Sequence, residues 1–293
     1  MIALLLLGCA ANLATLQTPE TLAQGQIAVS GQAAVGLPVG TTARAVGAGA
    51  RLLEEGLDAS QGEDLDTNAV LDAVAAGVAL RLNPPGQVFG AAVRVGVVDG
   101  LDLGARYSTS DWRLDAKWRF AGDGVSGASH ALLVGVQHQR FQGAIIDVYA
   151  IAEKVAELIP GLDLGEPKRW DIDAMYLGGG QVARGLKLWG GARYRYGWYE
   201  SPWVLTGEAF GSPEIIAQED LAGRSHLLGL SGGLAVGKDP VWVHAELDTG
   251  YSFARTTVLG LPVNFGGPIV FPAIGVTVQG KSAAERRAGK TRP

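Results

Sequence analysis

One cysteine, Cys9, stands in a chain of 293 residues, which excludes an intramolecular disulfide framework and any cysteine-rich metal site. Charged residues are scarce, at 18%. Long apolar runs are missing as well: nothing approaches the roughly 18 consecutive apolar residues of a membrane-crossing helix, so a bundle of such helices is excluded. The glycines follow no G-X-Y period, which rules out a collagen-like rod. A formal net charge of −5 leaves no basic footprint for nucleic acid. No nucleophile elbow, HExxH or P-loop occurs.

What the chain has is glycine, 43 of them, a mean hydropathy of +0.17, and alternation. Its length allows one large domain or two ordinary ones. Residues 88–120 show the pattern best. Trp112, Leu114, Ala116, Trp118 and Phe120 alternate with Arg113, Asp115, Lys117 and Arg119. A period of two predicts strand, because successive side chains point to opposite faces. One face is apolar and aromatic; the other carries full charges of both signs. Asp99-Gly100 between two alternating runs predicts a tight hairpin.

The same two-faced pattern recurs at 26–36, 129–141, 170–182, 186–199, 226–236, 241–253 and 269–279, for ten strands in all. Two stretches read as helical. Residues 41–82 are alanine-rich and predict a helical insert, or else a further strand pair that would raise the count to twelve. Residues 144–159 place Ile145, Val148, Ile151, Val155 and Leu158 at helical spacing within a long connection.

The connections alternate in length. Residues 98–100, 121–127, 183–185 and 237–240 are short, while 38–86, 142–168, 200–223 and 255–267 are long, with 109–111 the exception. That parity on an even number of strands is the pattern of an outer-membrane barrel. Phe89, Tyr107, Trp112, Trp170, Trp198, Tyr251 and Phe253 fall on the apolar face near the long connections, where interfacial rings belong. The opposite face carries Arg94, Asp102, Arg106, Arg113, Asp115, Lys117, Arg119, Asp171, Asp173, Lys187, Arg193, Arg195, His244, Glu246 and Asp248. An Arg or Lys at a lipid midplane costs roughly 2–4 kcal/mol, so these groups are expected inside. Pairs are expected between Asp102/Arg106 and Lys117/Arg113, and between Asp171/Asp173 and Arg193/Arg195.

Residues 1–11 read MIALLLLGCAA, an apolar run ending in small residues, as in an export signal. Leu6-Leu7-Gly8-Cys9 resembles the lipobox of bacterial lipoproteins, in which the cysteine is lipidated. Together with the segment R-x-G-x-x-D-x-L-D-L-G-x-R from Arg94 to Arg106 and L-D-A-K from Leu114 to Lys117, the chain resembles a bacterial outer-membrane β-barrel lipoprotein of an uncharacterised porin-like class. The resemblance implies a signal peptide over 1–8, lipidation at Cys9, a polar linker over 9–25, a barrel over 26–280 and a basic tail over 281–293. It also implies an outer-membrane location with both termini periplasmic.

The expected fold is therefore all-β, a closed antiparallel up-and-down transmembrane barrel of about ten strands with short helices in its long loops. Barrels of about eight strands are filled by their own side chains, whereas sixteen or more leave an aqueous channel. Ten strands with inward Arg, Lys and Trp point to a filled lumen with a structural role, or to narrow, plugged passage of small solutes with residues 41–82 as the plug. A barrel-embedded envelope enzyme, of protease or lipid-modifying type, is the first alternative. His244, Glu246 and Asp248 share a face, but His244 lies near a short turn, away from the rim where barrel proteases act. The second is a non-catalytic interaction module. The expected partners are outer-membrane lipid and small solutes. No nucleic acid, cofactor, metal or catalytic residue is expected, and nothing sets an oligomeric state.

Overall fold

Two-residue turns start the hairpins. Gly100 and Gly185 occupy the left-handed region, at φ 85° and 79°, which a tight turn between twisted strands requires. In the computed structural model, residues 12–43, 47–48, 51, 72, 85–122, 127–139, 162–164, 168–206, 215–258 and 261–282 are described. The strands are β1 (Ile27–Gly36), β2 (Gly86–Val98), β3 (Leu101–Ser108), β4 (Asp111–Ala121), β5 (Ser129–Gln139), β6 (Leu162–Leu164), β7 (Lys168–Ala183), β8 (Leu186–Thr206), β9 (Ile215–Lys238), β10 (Val241–Val258) and β11 (Leu261–Gln279).

All but β6 close a single antiparallel ring. Each pairs with its sequence neighbour, β8 pairs with β9, and β1 seals the wall against β11 from Ala28↔Gln279 to Ala34↔Ala273. β6 continues the line of β7 along β8, with Leu164 opposite Trp203 where Lys168 is opposite Glu200. Closure leaves no exposed sheet edge around the ring.

The ring holds ten strands, not twelve. β1 pairs directly with β2 over Ile27↔Val95 to Gly36↔Gly86, so the intervening insert adds nothing to the wall. The described residues of that insert, 41–43, 47, 48, 51 and 72, are helical. The helix expected at 144–159 lies outside the described residues, as do the signal over 1–8, Cys9 and all but the first two residues of the basic tail.

Two connections expected to be loops are instead strand. Residues 200–206 and 215–223 extend the β8–β9 hairpin, and 255–258 with 261–267 extend β10–β11. Prolines suggested loops there, because proline cannot donate to a ladder. The pairings explain why it is tolerated. Pro262, Pro268 and Pro272 lie on β11 beyond Ala273, where β1 no longer pairs with it apart from an isolated bridge, Leu37↔Val270. Pro202 sits on β8 between the last residue paired with β7 and the first paired with β6. In both places the strand has lost one neighbour, so the missing N–H breaks no ladder.

Alternation then sorts the side chains. Outward positions include Val93, Leu103, Leu114, Val134, Ile172, Leu228, Leu230, Val243, Leu247 and Ile274, with Leu230 65% and Ile274 63% accessible. Rings flank this belt: Tyr107, Trp112, Trp170 and Trp198 toward the extended hairpins, Trp118, Phe120 and Tyr176 toward the short turns. Among the described residues no helix is long and apolar enough to cross a membrane.

The belt makes a direct prediction. Leu230→Arg should cost about 2–4 kcal/mol in a lipid bilayer, whereas a water-facing site tolerates such a change within about 0.5 kcal/mol. Denaturant unfolding of wild type and variant, each refolded into vesicles, measures the difference. Equal stabilities would show that the wall does not face hydrocarbon.

Candidate functional site

Carboxylates and guanidinium groups projecting into a closed wall must find partners there, since an unpaired buried charge is far costlier than a paired one. The lumen meets this with a ladder that winds across neighbouring strands. Arg94 of β2 binds Asp102 of β3 and Asp115 of β4. Lys117 lies 3.6 Å from Asp102. Arg113 takes Asp115 at 3.0 Å and reaches past β5 to Asp173 of β7 at 2.5 Å. Arg193 of β8 lies 3.9 Å from Asp173 and 3.5 Å from Asp248 of β10. Arg195 lies 4.0 Å from Asp171. Asp102 and Asp171 have no accessible surface, and Arg113 has 1%.

β5 adds no charge to this face, and that absence is part of the design. Its inward Gly135 leaves the space that the Arg113 guanidinium crosses, and a Cβ there would strike it. Gly104 makes the same room for Arg94. Small residues on one strand thus allow long ones from its neighbours to bridge.

The second constituent is the chain's own N-terminal segment. Residues 12–25, expected as a linker outside the barrel, thread the lumen without regular secondary structure. Asn12 and Ala14 have no accessible surface, and Leu13 and Leu16 have 3% and 4%. A strand-less backbone buried in this way must have its polar groups satisfied by side chains. The wall supplies them. Arg195 donates to the carbonyl of Asn12 at 3.2 Å, Arg193 to that of Leu13, Arg106 to that of Ala14, and Lys117 to that of Thr18 at 3.1 Å. The N–H of Thr15 donates to Glu246 at 2.8 Å, and that of Leu22 to Asp102 at 3.1 Å. Glu20 pairs with Lys187 at 2.5 Å.

Shape matches as well as charge. Gly275 of β11 stands where a Cβ would strike Leu16, and Gly96 of β2 where one would strike the carbonyl of Ala23. At Gly25, with φ 70°, the chain turns from the lumen onto the wall, its N–H donating to the carbonyl of Gly96 at 2.8 Å. Leu133, Met175, Leu177, Trp189, Ala235 and Trp242 fill the rest of the interior near the short turns, with Lys187 4.2 Å above the Trp242 ring. Between segment and wall lies a cavity of about 60 Å³ bordered by Thr15, Gln17, Lys117 and His244, room for a few waters.

Of the charges expected inside, Arg94, Asp102, Arg106, Arg113, Lys117, Asp171, Asp173, Arg193, Arg195, Glu246 and Asp248 are buried. Asp115, Arg119 and Lys187 are half-buried. Asp102 meets Lys117, and Asp173 and Asp171 meet Arg193 and Arg195, across adjacent strands. Arg106, however, takes Asp111 at the start of β4, at 3.2 Å, and Arg113 turns to Asp115 and Asp173. Asp111 and Arg169, which binds Asp171 at 2.9 Å, were missed. Parity could have found both, since 111 continues the inward series 113, 115, 117 and 169 continues 171, 173. Their places at strand starts beside turns hide them from the alternating pattern.

His244, Glu246 and Asp248 share the lumen face, and each has other neighbours. Glu246 is taken by Thr15, Asp248 by Ser231 and Arg193, and His244 packs edge-on to Trp189 at 5.9 Å. Outward-facing His130 and His226 bond to Tyr176 at 2.7 Å and Tyr194 at 2.8 Å. Among the described residues no group of three or more His, Cys, Asp or Glu could hold a metal ion.

No family model and no curated protein matches the chain. The solved structures it is similar to include the following three. Neisserial surface protein A is 12% identical over 86% of this chain and 95% of that one, with a TM-score of 0.31. The attachment invasion locus protein Ail of Yersinia pestis is 10% identical over 88% and 99%, with a TM-score of 0.30. The outer membrane protease OmpT of Escherichia coli is 9% identical over 90% and 100%, with a TM-score of 0.40.

The ladder predicts where stability resides. Asp173→Ala strips a carboxylate from Arg113 and Arg193 and should cost about 3–5 kcal/mol, the usual price of breaking a buried pair. Asp99→Ala, at an exposed turn, should stay within about 0.5 kcal/mol. Urea unfolding followed by tryptophan fluorescence separates the two, and equal midpoints would show that the ladder holds nothing together.

Proposed function

We propose that the chain is a bacterial outer-membrane β-barrel serving narrow passage of small solutes, with residues 12–25 as the segment that closes it. The observation that carries this reading is the seating of that segment. Its backbone is held by Arg106, Arg193, Arg195, Lys117 and Glu246 through side-chain hydrogen bonds, not by a ladder that would make it part of the wall. Such contacts can be exchanged for water or for a polar solute one at a time. The uncharged outer belt with rings at both margins supports the membrane location. The short-turn end, where β1 begins and β11 ends, is the periplasmic end in this reading. Glu246 and Asp248 are held by Thr15, Ser231 and Arg193, which favours passage or structure over catalysis in this reading.

In the Cys9→Ser background, deleting residues 12–22 should convert the purified barrel from a silent to a conducting protein in planar bilayers. The lumen of the deletion variant is lined by Arg106, Lys117, Arg193 and Arg195 without their backbone acceptors. Two silent proteins, each showing the heat-modifiable gel mobility of a folded barrel, would leave a purely structural role.

The motif Leu6-Leu7-Gly8-Cys9 supports lipidation of Cys9, and the seated segment restricts when that can hold. The partner of Asn12, Arg195, stands nine residues along β8 from Leu186, about 30 Å of strand. Three residues span at most about 11 Å, so a Cys9 joined to a seated Asn12 cannot reach a leaflet beyond the short turns. A lipidated chain has therefore withdrawn its segment. Intact-protein mass spectrometry of wild type and Cys9→Ser should show a lipid adduct on wild type alone, and wild type should conduct where the variant does not. Identical masses would remove the anchor from this reading.

A further inference from the structure

The wall carries one feature that lumen and passage do not use. Following the register sideways from β4, Trp112 is opposite His138, His138 opposite Trp170, Trp170 opposite Trp198, Trp198 opposite Arg224, and Arg224 opposite Arg255. All lie on the outward face. A girdle of rings, with Trp170 and Trp198 stacked at 6.5 Å, thus ends in two arginines where further rings would complete it.

Two like charges directly across an antiparallel pair destabilise it. Arg224 and Arg255 are exposed and take part in none of the ion pairs among the described residues. The nearest outward carboxylates sit further from the belt. Glu200 is opposite Lys168, and Asp220 is opposite Pro202. Below the two arginines the wall turns apolar, with Tyr194, Leu228 and Phe253 bordering a surface groove of about 1020 Å³ that also takes in Trp198 and His226. The rim of the groove carries Arg224 and Arg255 with Glu200 beside them, a net positive charge, above an apolar floor.

We infer that Arg224 and Arg255 bind a phosphate group of a phosphorylated glycolipid in the leaflet at the extended-hairpin end, its acyl chains lying along Leu228 and Phe253. Planar guanidinium groups bind phosphate through paired hydrogen bonds, and an anion between the two relieves their repulsion. The ring girdle places them at headgroup depth. Charge complementarity and the apolar floor together select a lipid over a soluble anion. This inference rests on the membrane reading above.

The experiment uses the full chain in detergent micelles with bisphosphorylated lipid A, dephosphorylated lipid A or inorganic phosphate as probe, followed by native mass spectrometry and by the temperature at which heat-modifiable mobility is lost. Bisphosphorylated lipid A should stay bound and raise that temperature. R224Q/R255Q should weaken its binding at least tenfold, while Lys168→Gln, outside the pair, should not. Retention of the lipid by the double variant, equal binding of the dephosphorylated form, or inorganic phosphate acting as well as the lipid would each overturn the site. Both arginines are exposed, so the double variant should keep its heat-modifiable mobility. A wild type that shows no such mobility and does not insert into vesicles would instead sink the membrane reading itself.

Discussion

A closed wall of alternating residues offers half of its side chains no exit. In an open sheet, an arginine of the inner face can reach solvent over an edge. Here the seal between β1 and β11 removes the edge, and every inward charge must be answered within the ring. The ladder from Arg94 through Asp102, Asp115, Arg113, Asp173 and Arg193 to Asp248 is the answer, crossing from β2 to β10 around the inside of the wall. Its long reach depends on residues that are nearly absent. Gly104 and Gly135 give up their side chains so that guanidinium groups can lie across them.

The ladder alone does not satisfy the interior. Arg195 reaches its carboxylate only at 4.0 Å, and Arg193 shares two carboxylates at 3.5 and 3.9 Å. Arg106 has one carboxylate partner and donates its other contacts elsewhere. The carbonyls of Asn12, Leu13 and Ala14 supply what the carboxylates leave over, and Glu246 in turn accepts the N–H of Thr15. Neither party is complete without the other: a segment with no ladder of its own needs donors, and a cationic stretch of lumen needs acceptors. Leu16 adopts φ 49°, a left-handed conformation rare for a leucine, at the point where its side chain enters the space above Gly275. The seat is specific to this segment and not to any peptide of its length.

Alternation made the barrel legible. Period-two charge patterning over 112–120 and 186–199 separates two faces, and a face with charges of both signs, as on β3, β4 and β7, has a place only inside a closed ring. The strand count followed, and so did the inward set, because parity is a local property of sequence. What was not legible depends on neighbours. Prolines at 202, 262 and 268 read as loops because the end of a paired strand cannot be seen in the sequence of its partner. The segment over 12–25 read as a linker because nothing periodic marks it; only the Arg and Lys side chains around it define its conformation. Residues 41–82, expected as the plug, lie mostly outside the described residues; the occupant that is described, 12–25, is recognised through its backbone.

Proline placement and outward charge tell the same story at the far end of the wall. β8 to β11 run on past the girdle while β3 and β4 turn back at its level, so among the described residues the ring continues there as a partial sheet. Two constraints lapse together there. Ladder neighbours run out, which admits Pro202, Pro262 and Pro268. The apolar requirement on the outer face runs out too, which admits Lys168, Glu200 and Asp220. On β8 both lapses begin beside the row of Trp170, Trp198 and Arg224, so there backbone pairing and side-chain chemistry mark the same boundary, while on β11 the pairing with β1 already ends at Ala273. A sheet extended for stability alone would have no reason to change its outer face at the height where its rings align. A wall passing from hydrocarbon to headgroups must change there, and the arginines stand on the line of the change.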